Sequence, residues 1–311
     1  MRYHFKHVTR FTYDRPIRET VMELRMHPLT DSFQQCLSLV IELSPTARLF
    51  RYEDHLGNVI HHFDIPEDHQ SLCIDVDGEV EVQARPPLPD ALEPAAWRVL
   101  DARVAAEDFA EMLGPGPLTT PTVACTEYAR RIGCERRQDP LTVVRDVSRR
   151  LREEFHYAPA TTHIDTPLDR VLESRQGVCQ DFAHLMVVLV RSLGVPARYV
   201  SGYLHSGGGP ETPQASHAWA EVWLPEVGWF GMDPTHDRLA DECYIRTATG
   251  RDYSDVPPTN GVCKGGATSQ LEVGVLVSPL PANGREVPVG RRSTSTPRPA
   301  LMTQPVTLAG Q

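Results

Sequence analysis

In Gly177-Val178-Cys179-Gln180-Asp181-Phe182-Ala183-His184-Leu185-Met186-Val187-Val188-Leu189-Val190-Arg191 a glycine interrupts one element and a strongly apolar helix begins on a cysteine. The helix is expected over residues 179–193, ended by Gly194-Val195-Pro196. Free N–H groups and the dipole at a helix start favour a thiolate, the nucleophilic form of cysteine. Cys179 is therefore either a nucleophile or a small residue packed under a helix end. Its partners must separate the two readings.

A thiol nucleophile needs a base, and a histidine base needs an acceptor to hold its tautomer. Downstream, Ser216-His217-Ala218-Trp219-Ala220-Glu221-Val222-Trp223 alternates, with polar or aromatic residues at odd positions and small or aliphatic ones at even positions. His217 thus shares a strand face with Trp219, Glu221 and Trp223. Asp233 ends the next strand, in Gly231-Met232-Asp233-Pro234-Thr235. For Asp233 and His217 to share a face across an antiparallel pair, paired positions must have an even index sum. Pairing Trp223 with Trp229 meets that condition and sets Asp233 opposite Trp219, one diagonal step from His217. Nucleophile, base and orienter then arrive on one helix and two strands.

Working upstream, Asp139-Pro140 is an N-cap and first helical residue for a helix with Val144, Val147, Leu151 and Phe155 on one stripe. Thr166-Pro167 repeats the device before Leu168, Val171 and Leu172, and residues 95–113 also have helical spacing. Residues 2–84 instead read as strands. Tyr3, Phe5, Phe11 and Tyr13 hold one parity, as do Met22, Leu24 and Met26, and then Leu37, Leu39, Ile41 and Leu43. Asp77-Gly78 reads as the turn of a hairpin, with a three-residue loop, a left-handed Gly78 and Ile74 opposite Val80. Strands are expected at 197–204, 216–224 and 229–233, and a last one carries Leu271, Val273, Val275 and Val277.

Gly177 through His184, Gly194-Val195-Pro196-Ala197-Arg198-Tyr199-Val200-Ser201-Gly202-Tyr203, Ser216 through Val222, and Gly228-Trp229 through Asp233-Pro234-Thr235 resemble the bacterial transglutaminase-like family. That family is a branch of the papain-like cysteine enzymes. Residues 1–85 look like the β domain that precedes this core in bacteria. Gly250-Arg251-Asp252-Tyr253 and Asp255-Val256-Pro257-Pro258 resemble the segment that closes it. The resemblance covers roughly residues 1–277 and implies a Cys179, His217 and Asp233 triad on an α+β fold. The expected organisation is an all-β sandwich-like domain at 1–85, a linker with a helix at 86–117, a transglutaminase-like catalytic core at 118–280 and a mobile tail at 281–311.

The Cys179 backbone N–H is the natural first donor of an oxyanion hole. Tyr157 and Gln176 are candidates for the second, against ordinary packing or loop hydrogen bonding. His184, five residues after Cys179, lies on another helix face and reads as structural. Glu221, about 13 Å of strand from His217, is too far for contact, so Trp219 and Glu221 read as cleft-wall residues.

Composition narrows the alternatives. The 311 residues suggest about two domains, and 41% apolar with 23% charged residues is a globular balance. A formal charge of −10 argues against a nucleic-acid surface. The longest wholly apolar run is Leu185–Val190, far short of the roughly 20 residues of a membrane span. Met1 to His7 has no apolar stretch behind its charges, so no secretory signal and a cytoplasmic location are expected. The seven cysteines form no C-x-x-C pair, and the six besides Cys179 are expected to be small buried hydrophobes. His61-His62 point to opposite strand faces, and neither an H-x-x-x-H helix nor an EF-hand loop is present, so no metal or cofactor is expected. Gly207-Gly208-Gly209 runs into Pro210 and opens no helix, which disfavours a phosphate site. The expectation is a cysteine acyl-transfer enzyme acting on a protein or peptide substrate. Hydrolysis is favoured over glutamine cross-linking, and a non-catalytic peptide-binding module is the rival.

Overall fold

Strand β1 (Arg2–Leu24) is the spine of the N-terminal half. At 23 residues it would span roughly 75 Å if straight, so it must bend. Along Arg2–Thr12 it lies between β5 (His69–Val82) and β14 (Ser269–Leu280). Past a register irregularity between Thr12 and Ile17 its far end pairs with β4 (Val59–Ile65) and β13 (Thr259–Lys264). With β2 (Gln34–Ser44) on β5, β3 (Phe50–Glu53) on β4 and β15 (Met302–Val306) on β14, these form one eight-stranded sheet. The sandwich-like domain is thus a single curled sheet, because β1 runs through both of its halves. Tyr3, Phe5, Phe11, Tyr13, Met22 and Leu24 are buried, as the alternation requires. The computed structural model describes residues 1–207, 216–281, 299 and 301–306.

Three expectations are corrected here. Asp77-Gly78 makes no hairpin: β5 passes straight through it, and Gly78 pairs with Phe5 on one side and Leu39 on the other. A Cβ at Gly78 would lie 2.7 Å from the Ser38 carbonyl oxygen and 2.8 Å from the Phe5 ring. The glycine therefore serves a close approach inside a central strand and not a turn. Residues 259–280, grouped by sequence with the catalytic core, hydrogen-bond to β1 as β13 and β14 and complete the N-terminal sheet. Within the expected tail, Met302–Val306 pairs antiparallel with Ser269–Val273. Residues 282–298, 300 and 307–311 of that tail lie outside the described residues.

Between the two ends sits an antiparallel five-stranded sheet covered by helices. Residues 95–113 divide into α1 (Ala96–Ala106) and α2 (Ala110–Leu113), and α3 (Val123–Arg131) follows. Helix α4 (Pro140–Glu154) begins as its sequence demands, with Asp139 Oδ1 accepting from the Leu141 and Thr142 N–H groups at 3.0 Å. Two-residue strands β6 (His156–Tyr157) and β7 (Gln176–Gly177) pair in parallel on either side of α5 (Leu168–Ser174). Pro167 itself is the N-cap of α5, while the Thr166 hydroxyl accepts from the His163 N–H. Helix α6 (Cys179–Ser192) packs on the sheet, in which β8 (Ala197–Leu204) lies beside β9 (Ser216–Leu224) and β9 beside β10 (Gly228–Asp233). Strands β11 (Arg238–Leu239) and β12 (Tyr244–Gly250) form the two edges.

The N-terminal sheet docks on β8 and β12 through both apolar and polar side chains, with Tyr203 and Ile245 entering its core. Asn58 and Gln34 each bond the β12 backbone in both senses, at Thr249 and Arg246, and Arg246 reaches Asp31 at 2.6 Å. Among the described residues no helix is long and apolar enough to cross a membrane.

Candidate active site

Strands β9 and β10 pair with Trp223 opposite Trp229 and Ala220 opposite Met232. This is the even-sum register that places His217 and Asp233 on one face. His217 Nε2 donates to Asp233 Oδ2 at 2.8 Å. The Cys179 side chain hydrogen-bonds the same imidazole, which leaves Nδ1 for the thiol. Burial acts to lower the basicity of His217, but the bonds to Asp233 and Cys179 outweigh it and push the ring up to about 10. For Asp233, burial acts to raise the carboxyl, and hydrogen bonds from His217 and His236 overcome it to hold the group well below the usual carboxylate range.

Cys179 is half-buried at the first residue of α6. Val178, the N-cap, has no side-chain acceptor, so the first-turn amides are not consumed by a cap. Asp181 instead turns back: its Oδ2 accepts from the Val178 N–H at 2.8 Å and from the Thr162 hydroxyl at 2.6 Å. Gln180 adds a bond to the His163 carbonyl, so loop 158–166 is fastened across the helix start. Gly177 is required there, since a Cβ would lie 2.8 Å from the Asp181 side chain.

Both oxyanion candidates, Tyr157 and Gln176, lie exposed on the paired strands β6 and β7 just before Cys179, and the Tyr157 hydroxyl feels the charge of the thiol. Partial burial and the charges of Cys179 and Asp181 raise that hydroxyl. The Gln176 backbone serves the short ladder to His156. His184 is buried, accepts from the Tyr253 N–H at 3.1 Å and is pushed down to about 4 by desolvation, which fits a neutral structural role. Only Cys125 of the other six cysteines is fully buried; the rest are half-buried and all are free thiols.

Trp219 and Glu221 are buried, and both border a small cavity shared with Gln34, Arg85 and Arg246. Trp219 is fully buried with its ring edge-on to Tyr244 at 5.1 Å. Glu221 is 1% exposed, bonded by Arg198 at 2.6 Å and flanked by Arg246 at 3.6 Å. Burial alone would raise its carboxyl, yet the two arginines hold it low. The polar strand face is covered by the N-terminal sheet, whose Asp31 joins the same charge cluster through Arg246.

Two residues of the site were not singled out from sequence. Asp233 Oδ2 also accepts from His236 Nδ1 at 2.7 Å and from the Tyr244 hydroxyl at 2.7 Å, while Oδ1 accepts from the Thr235 N–H at 2.9 Å. The i,i+3 spacing in Asp233-Pro234-Thr235-His236 was the available signal for His236. Tyr244 had none, because it arrives on β12, across the sheet. His217, Asp233 and His236 bring ligand-type atoms within 4.8 Å of one another. Two short hydrogen bonds onto Oδ2 already account for that convergence, and we read it as a hydrogen-bond network rather than a metal centre.

Comparison with known proteins agrees with this architecture. Residues 126–234 match the transglutaminase-like superfamily, and residues 3–81 match the bacterial transglutaminase-like N-terminal region. An uncharacterised protein of Mycobacterium leprae is 32% identical over 278 residues, covering 88% of this chain and 97% of its own. One of Mycobacterium tuberculosis is 35% identical, covering 90% and 93%. A protein-glutamine gamma-glutamyltransferase of Pseudomonas aeruginosa is 35% identical over 123 residues, 35% of this chain and 18% of that one. The crystal structure of a candidate cysteine protease from Cytophaga hutchinsonii shares the fold, with a TM-score of 0.72, 22% identity and 98% of both chains covered. The chain belongs to the transglutaminase-like superfamily and carries the bacterial N-terminal region of that family.

Proposed function

We propose that this protein is a cysteine-dependent acyl-transfer enzyme that hydrolyses carboxamide or peptide bonds in a protein or peptide substrate. The observation that carries this reading is the bonded chain from Cys179 at a helix start through His217 to a fully buried Asp233. Such a chain has little purpose in a binding module. Cys179 sulfur attacks the carbonyl carbon, and its proton passes to His217. The developing oxyanion meets the Cys179 N–H and the Tyr157 hydroxyl. His217 then protonates the departing amine, the C–N bond breaks and a thioester remains. Water, losing a proton to His217, releases the acid and restores the thiol.

The same thioester could be resolved by a lysine amine, and the 123-residue likeness to a glutamyltransferase supports that second reading. Intact-mass analysis of glutamine peptides incubated with the protein and a labelled primary amine separates the outcomes. Peptide shortening or loss of ammonia is expected, and amine incorporation would establish cross-linking instead. A peptide left unchanged by the wild type, or changed equally by the Cys179→Ala variant, would overturn the proposal.

A further inference from the structure

Asp233 Oδ2 receives two imidazoles: His217 Nε2 at 2.8 Å and His236 Nδ1 at 2.7 Å. They differ in setting. The His217 side chain is 10% exposed, whereas that of His236 is 49% exposed, with its ring centroid 5.3 Å from that of His217. His236 is carried by the turn that follows β10. The next residue, Asp237, has a left-handed backbone (φ 51°) and accepts from the Ser148 hydroxyl of α4 at 2.9 Å. The turn is thereby anchored, and the second imidazole is held beside the base.

We infer that His236 is a positioning residue that shares the Asp233 carboxylate with His217 and so limits how tightly that carboxylate holds the His217 imidazolium. The inference rests on the acyl-transfer reading. An imidazolium bonded to an undivided, buried carboxylate gives up its proton reluctantly, yet acyl transfer needs that proton delivered to a leaving amine. A second donor on the same oxygen weakens the first bond, because the negative charge that both attract is one charge. Among the described residues the other ionisable groups facing the pair are Cys179 from α6, Tyr244 from β12 and, over the Tyr244 ring at 5.0 Å, Arg238 from β11. None of these reproduces the exposed imidazole donor. Tyr244 bonds the same oxygen from inside the protein, where it stays when His236 is changed.

Alkylation of Cys179 by iodoacetate tests this without knowledge of the substrate. The reagent is an anion, so its rate is favoured while His217 is protonated, and the alkaline limb of its pH profile reports the imidazolium. In His236→Ala that limb should move up by roughly half to one unit, the equivalent of one hydrogen bond. His236→Asn, which keeps a donor at the same reach, should return it to the wild-type position. Superimposable wild-type and His236→Ala profiles on a rapidly labelled Cys179 would overturn the inference alone. So would a His236→Asn profile that follows His236→Ala. Wild-type Cys179 labelling no faster than Cys36 or Cys263 would overturn the acyl-transfer reading and the inference together.

Discussion

Among the described residues four donors meet Asp233, and their arrangement sharpens what the loss of its charge should do. Three converge on Oδ2 and one on Oδ1. In Asp233→Asn the amide nitrogen must face either the Thr235 N–H or three donors at once, so no orientation satisfies every partner. The substitution removes the charge that steadies the His217 imidazolium and leaves a buried donor unpaired. In a serine enzyme the equivalent change costs about 10⁴ in rate. A thiol ionises more readily and needs less help, so a loss of roughly 10- to 10³-fold is expected here. Turnover on a glutamine peptide or the pH 6.5 rate of Cys179 alkylation measures it, and an effect below threefold would contradict the orienting role. Glu221 teaches the complementary lesson at this scale. Its neighbours along the strand read as a functional face, but a carboxylate buried between Arg198 and Arg246 belongs to the join between the two halves.

At the scale of elements, β5 shows how a local turn signal yields to its surroundings. Leu72, Ile74, Val76, Val80 and Val82 all hold even positions, and that parity continues unbroken through Gly78. A single buried strand and a three-residue hairpin share this pattern; pairing with β1 and β2 along its length selects the strand. Gly78→Val should therefore act as overpacking, not as turn strain. The new side chain would press on the Phe5 ring and the Ser38 carbonyl, at an expected cost of about 1–3 kcal/mol. A drop in the denaturant midpoint with an unchanged slope would show it, whereas an unchanged midpoint would mean that the strands can spread there. Helix α6 behaved as its sequence implied, since both its ends are set locally: Cys179 follows the β-region Val178, and Gly194 has a left-handed φ of 73°.

For the whole molecule, burial of histidines sets an acid limit on stability. His7, in the N-terminal sheet, and His184, on α6, are both pushed down to about 4 by desolvation. In the unfolded chain a histidine titrates near 6.5. Between about pH 6.5 and 4 the unfolded state therefore binds more protons than the folded one, so stability falls as pH is lowered through that window. The two sites together should cost a few kcal/mol by pH 4.5, where most carboxylates are still ionised. Chemical denaturation at pH 7, 6, 5 and 4.5 measures the slope. Replacing His7 and His184 by Gln should lessen it but not remove it, since burial pushes His27 down to about 4 as well, and an undiminished slope would place its origin elsewhere. Because one histidine lies in each half, and β12 is clasped by Gln34 and Asn58, the halves should lose stability in one transition.

By itself the sequence determined the features that depend on residues near each other in the chain. These are the period-two faces of β1 and β9, the capped start of α4, the cysteine at the head of α6, and a strand register that could join His217 to Asp233. Local dihedral preference and side-chain period act over a few residues, so they are legible without knowledge of the fold. Tertiary structure decided what covers each face. It closed the N-terminal sheet with strands from residues 259–280, carried β5 through Asp77-Gly78, and buried Trp219 and Glu221 under that sheet. It also brought Tyr244 onto Asp233. Those outcomes depend on backbone pairing and charge burial between segments far apart in the chain, as in Arg2 opposite Leu280. Their free energy exists only once the two surfaces have met, and no local pattern carries it.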